Sequence, residues 1–297
     1  MGYKSGYVSL VGRANAGKST LINALIGEKV AIVSPKPQTT RNNILGILTR
    51  EKSQLVFVDT PGIHMSKNAL DRYMNKNVRT AIGSSDIVVY LIDGSKKFLE
   101  EEFEYINNLT QKENPVIVAI TKVDLLNYEK VYPILQKLSK IKKIKEIVPL
   151  SSLKKRNLDV LENAILKLLT EEDQKNFEFD EDEYTDKSVR FMVAEIIREK
   201  ALYLYEEEIP HGLAIEIVKF EQNKNICSID VDIICERDSH KAIIIGKNGL
   251  KIKKLGQTAR EDIEELLQTK VMLKLFVKIK NNWRENQNNL TDFGYID

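Results

Sequence analysis

The octapeptide at residues 12–19, GRANAGKS, has the residue types that bind a chain of phosphates. Glycines let backbone N–H groups turn toward phosphate oxygens, and the N-terminus of a following helix adds partial positive charge. In this pattern Lys18 reaches the β- and γ-phosphates, and the Ser19 hydroxyl binds Mg²⁺. If the motif stood alone, a chance glycine-rich turn would be the alternative. We expect nucleotide contacts from the loop and the turn after it: Asn15, Ala16, Gly17, Lys18, Ser19 and Thr20.

The tetrapeptide at residues 59–62, DTPG, adds a carboxylate and a point of close backbone approach. Asp59 follows Lys18 by 41 residues and suits a Mg²⁺ partner that acts through a bound water. Gly62 has no side chain to keep its N–H away from a γ-phosphate. Taken alone, the tetrapeptide is equally compatible with an ordinary turn.

The tetrapeptide at residues 121–124, TKVD, predicts selection of the base. The Asp124 carboxylate can accept hydrogen bonds from N1–H and N2–H of guanine, a donor pair that adenine lacks. The alkyl stem of Lys122 can pack over the base. Thr121 stands where guanine-specific proteins usually have Asn, so some contacts to the base or the loop are lost. Three residues of a later loop complete the expected base contacts: Ser151, Ser152 and Leu153.

The segment at residues 34–41, SPKPQTTR, has two prolines and no apolar period, so it predicts a loop. Its place in the chain is the one where GTPases keep the switch I loop. A threonine there can complete the Mg²⁺ shell when the γ-phosphate is present. We assign this role to Thr40 and keep Thr39 as the alternative, and a purely structural loop is the competing interpretation. The expected catalytic residues are Lys18, Thr40 and Gly62.

The first half of the chain alternates continuous apolar runs with periodic segments. Such runs predict strands buried on both faces of a mostly parallel sheet, joined by helices. The predicted strands are residues 7–12, 55–59, 87–93, 116–121 and 147–150. In a doubly wound α/β sheet, ligands bind at the carboxyl ends of the strands. The expected fold class is therefore an α/β P-loop domain, followed by the α+β domain described next.

The second half predicts the order helix, strand, strand, helix, helix, strand, with GKNG at residues 246–249 between the last two helices. This is the type II KH arrangement, in which the GxxG backbone clamps about four nucleotides. Lysines around the loop can contact phosphates without reading sequence, although each lysine alone is equally a solvated surface residue. The expected RNA-binding residues are Lys241, Gly246, Lys247, Asn248, Gly249, Lys251, Lys253 and Lys254.

The charge distribution divides the chain more clearly than its net charge of +2. Residues 171–183 carry eight acidic side chains and one lysine, whereas residues 240–284 carry eleven basic and four acidic ones. An acidic connector and a basic C-terminal region follow from this pattern. The expected domains are a nucleotide-binding domain at 1–170, an acidic linker at 171–186, and an RNA-binding domain with a tail at 187–297.

Cysteine content and hydropathy limit the class of protein. Cys227 and Cys235 are the two cysteines, too few for a disulfide framework or a thiolate metal site. No apolar run approaches the roughly 18 residues that a membrane span needs. The first predicted strand begins at residue 7, so we expect no signal or transit peptide and a cytoplasmic protein.

The phrases GRANAGKST, PQTTR and DTPG, with GKNG between two later helices, resemble the Era family of GTPases over essentially the whole chain. The resemblance implies GTP or GDP and Mg²⁺ as ligands. It also implies binding near the 3′ end of 16S ribosomal RNA and assistance in assembly of the small ribosomal subunit. In relatives the P-loop asparagine can help hold K⁺, which makes Asn15 a candidate contact. Ile63 replaces the water-orienting glutamine of many GTPases, so we expect slow intrinsic hydrolysis.

Two other functions stay open on the residues alone. One is an RNA chaperone or tether whose nucleotide site is mainly structural, with negligible turnover. The other is a P-loop ATPase or nucleotide kinase, although Asp124 argues against adenine. The basic surface also leaves peripheral association with the inner face of the cell membrane open, without an amphipathic anchor to support it. We expect a monomer.

Overall fold

The computed structural model describes residues 2–295 and divides into two compact units. The first unit comprises the chain up to Ala31, Thr40–Met65 and Met74–Asp186. The second unit comprises Ile32–Thr39, Ser66–Tyr73 and the chain from Lys187 onward. Two short segments of the first half therefore belong with the second half. Met1 and the last two residues of the predicted C-terminal tail lie outside the described residues.

A six-stranded sheet forms the centre of the first unit. Its strands are β1 (Lys4–Gly12), β2 (Ile44–Arg50), β3 (Ser53–Asp59), β4 (Ile87–Asp93), β5 (Val116–Thr121) and β6 (Ile144–Pro149). Their order is β2-β3-β1-β4-β5-β6, with β2 antiparallel to β3 and the other neighbours parallel. The bounds predicted for β4 and β5 are those observed, whereas β2 has no counterpart among the predicted strands.

Five helices accompany this sheet: α1 (Lys18–Ile26), α2 (Ala69–Ser84), α3 (Glu100–Leu109), α4 (Tyr128–Leu138) and α5 (Leu158–Leu168). Alternate residues of β4, among them Val88 and Ile92, form one buried cluster with Ile106 of α3 and Leu138 of α4. Helix α1 contacts β1, β2 and β3, and α5 contacts β5 and β6. Every residue of β4 is buried, which explains why the strand is a continuous apolar run in the sequence.

The strand order brings the nucleotide motifs to one edge of the sheet. The P-loop follows β1, DTPG follows the adjacent β3, and TKVD follows β5. Because β2 is antiparallel, its first residue, Ile44, pairs with Asp59 at the same edge, and the loop before it arrives there too. This explains how segments far apart in the chain contribute to one site.

The acidic segment 171–186 lies along the first unit instead of forming a separate connector. Glu172 pairs with Tyr3 in an isolated β-bridge, and the Tyr184 carbonyl accepts a 3.0 Å hydrogen bond from Ile47 N–H. The Asp186 carboxylate accepts a 3.1 Å bond from Leu45 N–H. The first unit therefore extends to Asp186, beyond the predicted boundary at residue 170.

The second unit contains a three-stranded sheet ordered β7-β8-β9 and four helices among its described residues. Its elements are α6 (Val189–Leu204), β7 (Ala214–Gln222), β8 (Ile226–Cys235), α7 (Asp238–Ile245), α8 (Leu250–Leu267), β9 (Lys270–Ile279) and α9 (Gln287–Asp292). Strand β8 runs antiparallel to β7 and parallel to β9. Buried residues of α6, β8 and α8, such as Val193, Val231 and Ile263, form its core. The predicted order of helices and strands is thus confirmed.

The end of the second unit is fixed by Trp283, which is fully buried. Its indole N–H donates a 3.0 Å hydrogen bond to the Gly212 carbonyl, and its ring makes an edge contact with Phe293. A packing role for Trp283 follows from this burial. Among the described residues, no helix is both long enough and apolar enough to cross a bilayer.

Candidate functional site

The phosphate-binding loop between β1 and α1 is closed on itself by Lys18. Its ammonium group is buried and donates to the carbonyls of Gly12 at 3.2 Å and Arg13 at 3.1 Å. Burial lowers the pKa of Lys18 to about 8, although the nearby Asp59 carboxylate opposes this shift. Gly17 adopts a left-handed conformation, φ 94°, where the loop enters α1. A desolvated ammonium at a helix N-terminus is well placed to bind an oligophosphate.

Three oxygen atoms meet beside this loop, from Ser19, Thr40 and Asp59. The Ser19 hydroxyl lies 2.6 Å from Asp59 Oδ2 and 2.9 Å from Thr40 Oγ1, and Thr40 Oγ1 lies 3.1 Å from the same carboxylate oxygen. Burial raises the pKa of Asp59, against the opposing effects of the Lys18 charge and its two hydroxyl partners. Two hydroxyls and a carboxylate are the hard oxygen donors that suit a hydrated Mg²⁺.

The other carboxylate oxygen of Asp59, Oδ1, shows that this cluster is incomplete by itself. The residue is fully buried, yet Oδ1 has no hydrogen-bond partner within the described part of the chain. A buried, unpaired carboxylate oxygen is costly, and a metal-bound water would satisfy it. The residues present therefore fit Mg²⁺, with Ser19 and Thr40 as direct ligands and Asp59 as an outer partner.

The two threonines of PQTTR point to different partners. Thr40 contributes to the oxygen cluster, whereas the Thr39 hydroxyl donates a 2.7 Å hydrogen bond to the Lys36 carbonyl within its own loop. Of the two residues that the sequence left open, Thr40 is the one that the structure places at the predicted metal position.

Gly62 lies directly against the phosphate-binding loop. A Cβ atom added there would be 2.7 Å from the Cα of Ala14, so only glycine permits this approach. The next residue, Ile63, donates its N–H to the Gly12 carbonyl at 3.1 Å. His64 Nδ1 lies 2.7 Å from the Gly62 carbonyl, which keeps this ring turned back toward its own backbone. The apolar Ile63 side chain cannot orient a water as a glutamine does.

The residues after β5 support the P-loop from the side. The buried Thr121 hydroxyl lies 2.8 Å from the Ala16 carbonyl and 3.0 Å from the Ile92 carbonyl. Lys122 donates to the Asn15 carbonyl at 2.8 Å and to Asp93 Oδ2 at 2.7 Å. The hydroxyl of Thr121 thus contacts the backbone of the phosphate-binding loop and of β4.

Asp124 and the SSL loop form the region expected to contact the base. Asp124 lies in a short 3₁₀ helix after β5 and is half-buried. Ser151 is buried and its hydroxyl accepts a 3.2 Å hydrogen bond from Lys154 N–H, which organises the loop. Ser152 is half-buried, and Leu153 is 77% exposed. Thr20, in the first turn of α1, is half-buried below the phosphate loop.

The GKNG loop of the second unit joins α7 to α8 through a short turn, Lys247–Gly249, in which Asn248 has a left-handed backbone with φ 52°. Gly246 has φ 71°, and a Cβ atom there would lie 2.8 Å from the Lys251 side chain. Four of the five predicted lysines, at positions 247, 251, 253 and 254, are exposed, and Lys241 is half-buried. Beside them the apolar side chains of Ile243 and Leu250 are 43% and 63% exposed. Exposed cations next to apolar side chains suit a single-stranded nucleic acid.

Comparison with known proteins decides the family. The family described as "50S ribosome-binding GTPase" matches residues 7–122, and the KH domain family matches residues 208–284. The chain is 47% identical over 294 residues to GTPase Era of Clostridium botulinum, covering 99% of this chain and 98% of that protein. It is 46% identical over 300 residues to GTPase Era of Clostridioides difficile, covering 99% of both.

The chain belongs to the Era family of GTPases. A crystal structure of Era with MgGDPNP and nucleotides 1506–1542 of 16S ribosomal RNA matches it with a TM-score of 0.93 at 38% identity. That match covers 99% of this chain and 100% of the other. A crystal structure of a single-residue variant of Aquifex aeolicus Era, bound to GDP·AlF₄⁻, matches equally well. The predicted family, the P-loop and KH fold class and the GTPase activity are confirmed.

Sequence reasoning missed several polar residues around the site of this Era-family GTPase. Asp93 is the last residue of β4, and its carboxylate accepts a hydrogen bond from the Lys122 ammonium group. Burial alone would raise the pKa of Asp93. The hydrogen bonds from Lys122 and Ser95 outweigh that effect, so the pKa is lowered. The position of Asp93 at the end of β4, the strand next to β1, could have indicated a place near the phosphate-binding loop. Arg198 and Glu199 of α6 contact the 32–39 segment. Nothing local in the sequence of α6 indicated that.

Proposed function

We propose that this Era-family GTPase is a nucleotide-controlled RNA-binding switch that assists assembly of the small ribosomal subunit. One observation carries the proposal. The chain matches, over 99% of its length, a protein whose crystal structure contains both MgGDPNP and nucleotides 1506–1542 of 16S ribosomal RNA. The same chain has an oxygen cluster suited to Mg²⁺ in one unit and an exposed, lysine-rich GxxG loop in the other.

Each residue of the nucleotide site has a role in this proposal. Lys18 and the loop amides bind the β- and γ-phosphates, and Asp124 selects guanine. Mg²⁺, when bound by Ser19 and Thr40, neutralises the charge that develops on the phosphates. Gly62 brings its N–H to the γ-phosphate, so the loop after β3 senses whether that phosphate is present.

The turnover proposed for this site is slow. Ile63 cannot orient the attacking water, and the neighbouring His64 ring is turned back toward the Gly62 carbonyl. We assign Asn15 to a K⁺ ion next to the β- and γ-phosphates, where a second positive charge would stabilise the transition state. A monovalent-cation requirement is the measurable consequence.

The RNA side of the proposal rests on the second unit. The exposed lysines of the GKNG region contact phosphates, and the GxxG backbone lets a strand approach closely. The target proposed is the 3′ region of 16S ribosomal RNA within the small subunit. We place the protein in the cytoplasm, and we add peripheral membrane association as a second proposal that rests on the basic surface alone.

The first test is GTP hydrolysis with and without an RNA fragment carrying the 3′ end of 16S ribosomal RNA, in K⁺ and in Na⁺ buffers. A scrambled RNA of equal length is the control for charge alone. Stimulation by the specific fragment, greater in K⁺ than in Na⁺, is expected. Specific RNA binding that is equal in the GTP and GDP states, with no change in turnover, would contradict the switch and favour a tether.

A further inference from the structure

The 32–39 segment, Ile32–Thr39, is held by helix α6 of the second unit at three polar contacts. The Glu199 carboxylate accepts a 2.9 Å hydrogen bond from Val33 N–H. Arg198 Nη2 donates to the Thr39 carbonyl, and Lys36 donates its ammonium proton to the Tyr205 carbonyl at the end of the helix. Both ends and the middle of the segment are therefore fixed by the same helix.

Of these three contacts, the one made by Arg198 would cost the most free energy to break. Its side chain is 2% exposed and is held by Glu195, with Nε 2.7 Å and Nη2 2.6 Å from the two carboxylate oxygens. Each N–H group of a buried guanidinium that lacks a partner costs free energy of folding. Its remaining nitrogen, Nη1, has no hydrogen-bond partner within the described residues. Loss of the Thr39 carbonyl would leave still more of this charge unsatisfied, so the contact strongly favours one position of the loop.

The Thr39 carbonyl belongs to the peptide bond that leads into Thr40. That peptide is planar, so fixing the carbonyl direction also fixes the direction of the Thr40 N–H. The chain passes from the second unit to the first at this bond. One residue later, the Thr40 hydroxyl lies within 3.1 Å of Asp59 and 2.9 Å of Ser19. Arg198 thus fixes the peptide plane immediately before the residue whose hydroxyl lies in the oxygen cluster.

We propose that Arg198 is a positioning residue for GTP hydrolysis. Through the Thr39 carbonyl it holds Thr40 facing the Mg²⁺ position, and Lys36 and Glu199 hold the rest of the segment in support. The inference rests on the proposed role of Thr40 as a Mg²⁺ ligand. It extends that role by making a helix outside the nucleotide-binding motifs a part of the hydrolytic machinery. By linkage, GTP with Mg²⁺ favours the 32–39 segment bound to α6 to the same degree.

The test compares full-length wild-type protein with Arg198→Met, Arg198→Lys and Lys36→Met. Arg190→Met is the matched control, because Arg190 lies on the same helix, is exposed and bonds only to the Ile217 carbonyl among the contacts observed for it. Three quantities are measured: the Mg²⁺ concentration that gives half-maximal hydrolysis, the Kd of a non-hydrolysable GTP analogue, and the Kd of GDP.

For Arg198→Met, we expect the half-saturating Mg²⁺ concentration and the Kd of the GTP analogue to rise by about tenfold, the size of one lost charge-assisted hydrogen bond. The Kd of GDP should stay within about twofold, because GDP has no γ-phosphate to recruit Thr40. Arg198→Lys should fall between wild type and Arg198→Met, since it keeps one donor. Lys36→Met should also raise the ratio of the Kd of the GTP analogue to the Kd of GDP, whereas Arg190→Met should leave this ratio unchanged.

A general loss of folding would not produce a selective effect on GTP over GDP. Thermal unfolding identifies any variant that is destabilised, and Lys36, a half-buried loop residue, decides the matter if Arg198→Met does not fold. An unchanged ratio of GTP to GDP affinity, with unchanged Mg²⁺ dependence, in Lys36→Met and in folded Arg198→Met would overturn the inference. Failure of the wild-type protein to use Mg²⁺ and GTP would instead contradict the proposed function.

Discussion

The Tyr205 hydroxyl donates a 2.9 Å hydrogen bond to the Ile244 carbonyl, two residues before the first glycine of the GKNG loop. Both residues are buried, and the bond joins the end of α6 to the last turn of α7. The final carbonyls of a helix have no partner within the helix, so Tyr205 satisfies one that would otherwise be buried and unpaired. The direction in which the GKNG loop leaves α7 therefore depends on a residue of α6.

Removal of this hydroxyl in Tyr205→Phe should weaken RNA binding without altering basal hydrolysis of GTP. The Ile244 carbonyl would lose its donor, which costs about 1–3 kcal/mol when the group is buried. Urea unfolding measures the loss of stability, and fluorescence anisotropy with a 16S 3′ fragment measures the loss of affinity. Tyr203→Phe is the control, because Tyr203 lies on the same helix and is 58% exposed. Equal effects of the two substitutions would contradict this prediction.

Thr40 and Thr39 can be distinguished by hydrolysis. Thr40→Val keeps the shape of the side chain but removes an oxygen from the cluster with Ser19 and Asp59. We expect kcat to fall by at least about tenfold, the usual cost of disturbing a metal-site partner. Thr40→Ser should retain most activity.

Thr39→Val is the matched control, since the Thr39 hydroxyl bonds only to the Lys36 carbonyl among the hydrogen bonds observed for it. Its kcat should stay within about threefold of wild type, the effect of one net hydrogen bond in a loop. A larger effect of Thr39→Val than of Thr40→Val would reverse the assignment of the metal ligand.

The sequence was sufficient to predict the central strands because their signal is local. Strands β4 and β5 are continuous apolar runs, and their observed bounds are the predicted ones. Strand β2 was missed because it is an antiparallel edge strand that contains Gly46 and ends in Thr49 and Arg50. Helix α2 was not named from the sequence although its signal is also local, because its buried residues recur at helical spacing: Leu70, Met74, Val78, Ala81 and Ile82.

The oxygen cluster was predictable for a different reason. P-loop chemistry requires fixed residue types at fixed places after known strands, so Ser19 and Asp59 could be named from the motifs alone. The hold of Arg198 on Thr39 was not predictable, since 159 residues separate them and a helical arginine is usually a surface residue. Contacts between distant segments depend on tertiary packing, which the hydrophobic periodicity of a single segment does not reveal.

Base selectivity should reverse in Asp124→Asn. Asparagine keeps an acceptor for N1–H but places an N–H donor opposite the guanine amino group, which is unfavourable. Xanthine has a carbonyl oxygen at that position and would accept this donor. We expect GTP affinity to fall by roughly 10- to 100-fold and XTP affinity to rise, both measured by competition against a fluorescent GDP analogue. Parallel loss of both nucleotides would show that Asp124 acts on the loop and not on the base.

The lysines near the GKNG loop can be tested through the salt dependence of RNA binding. Each phosphate contact to a single strand contributes about 0.7 to the slope of log affinity against log salt. If Lys251, Lys253 and Lys254 contact phosphates, their simultaneous replacement by Gln should reduce that slope by about 2. Replacing Lys140, Lys142 and Lys145 by Gln is the matched control, because these exposed lysines of the first unit carry the same charge.

The comparison of the two triple variants separates contact from general attraction. A long-range field of the whole protein is screened beyond about 10 Å in 0.1 M salt, so lysines that make no phosphate contact should affect the association rate at low salt but hardly the slope. Equal reductions of the slope by the two triple variants would mean that the RNA follows overall charge. A reduction confined to the GKNG lysines would place the bound strand on α8.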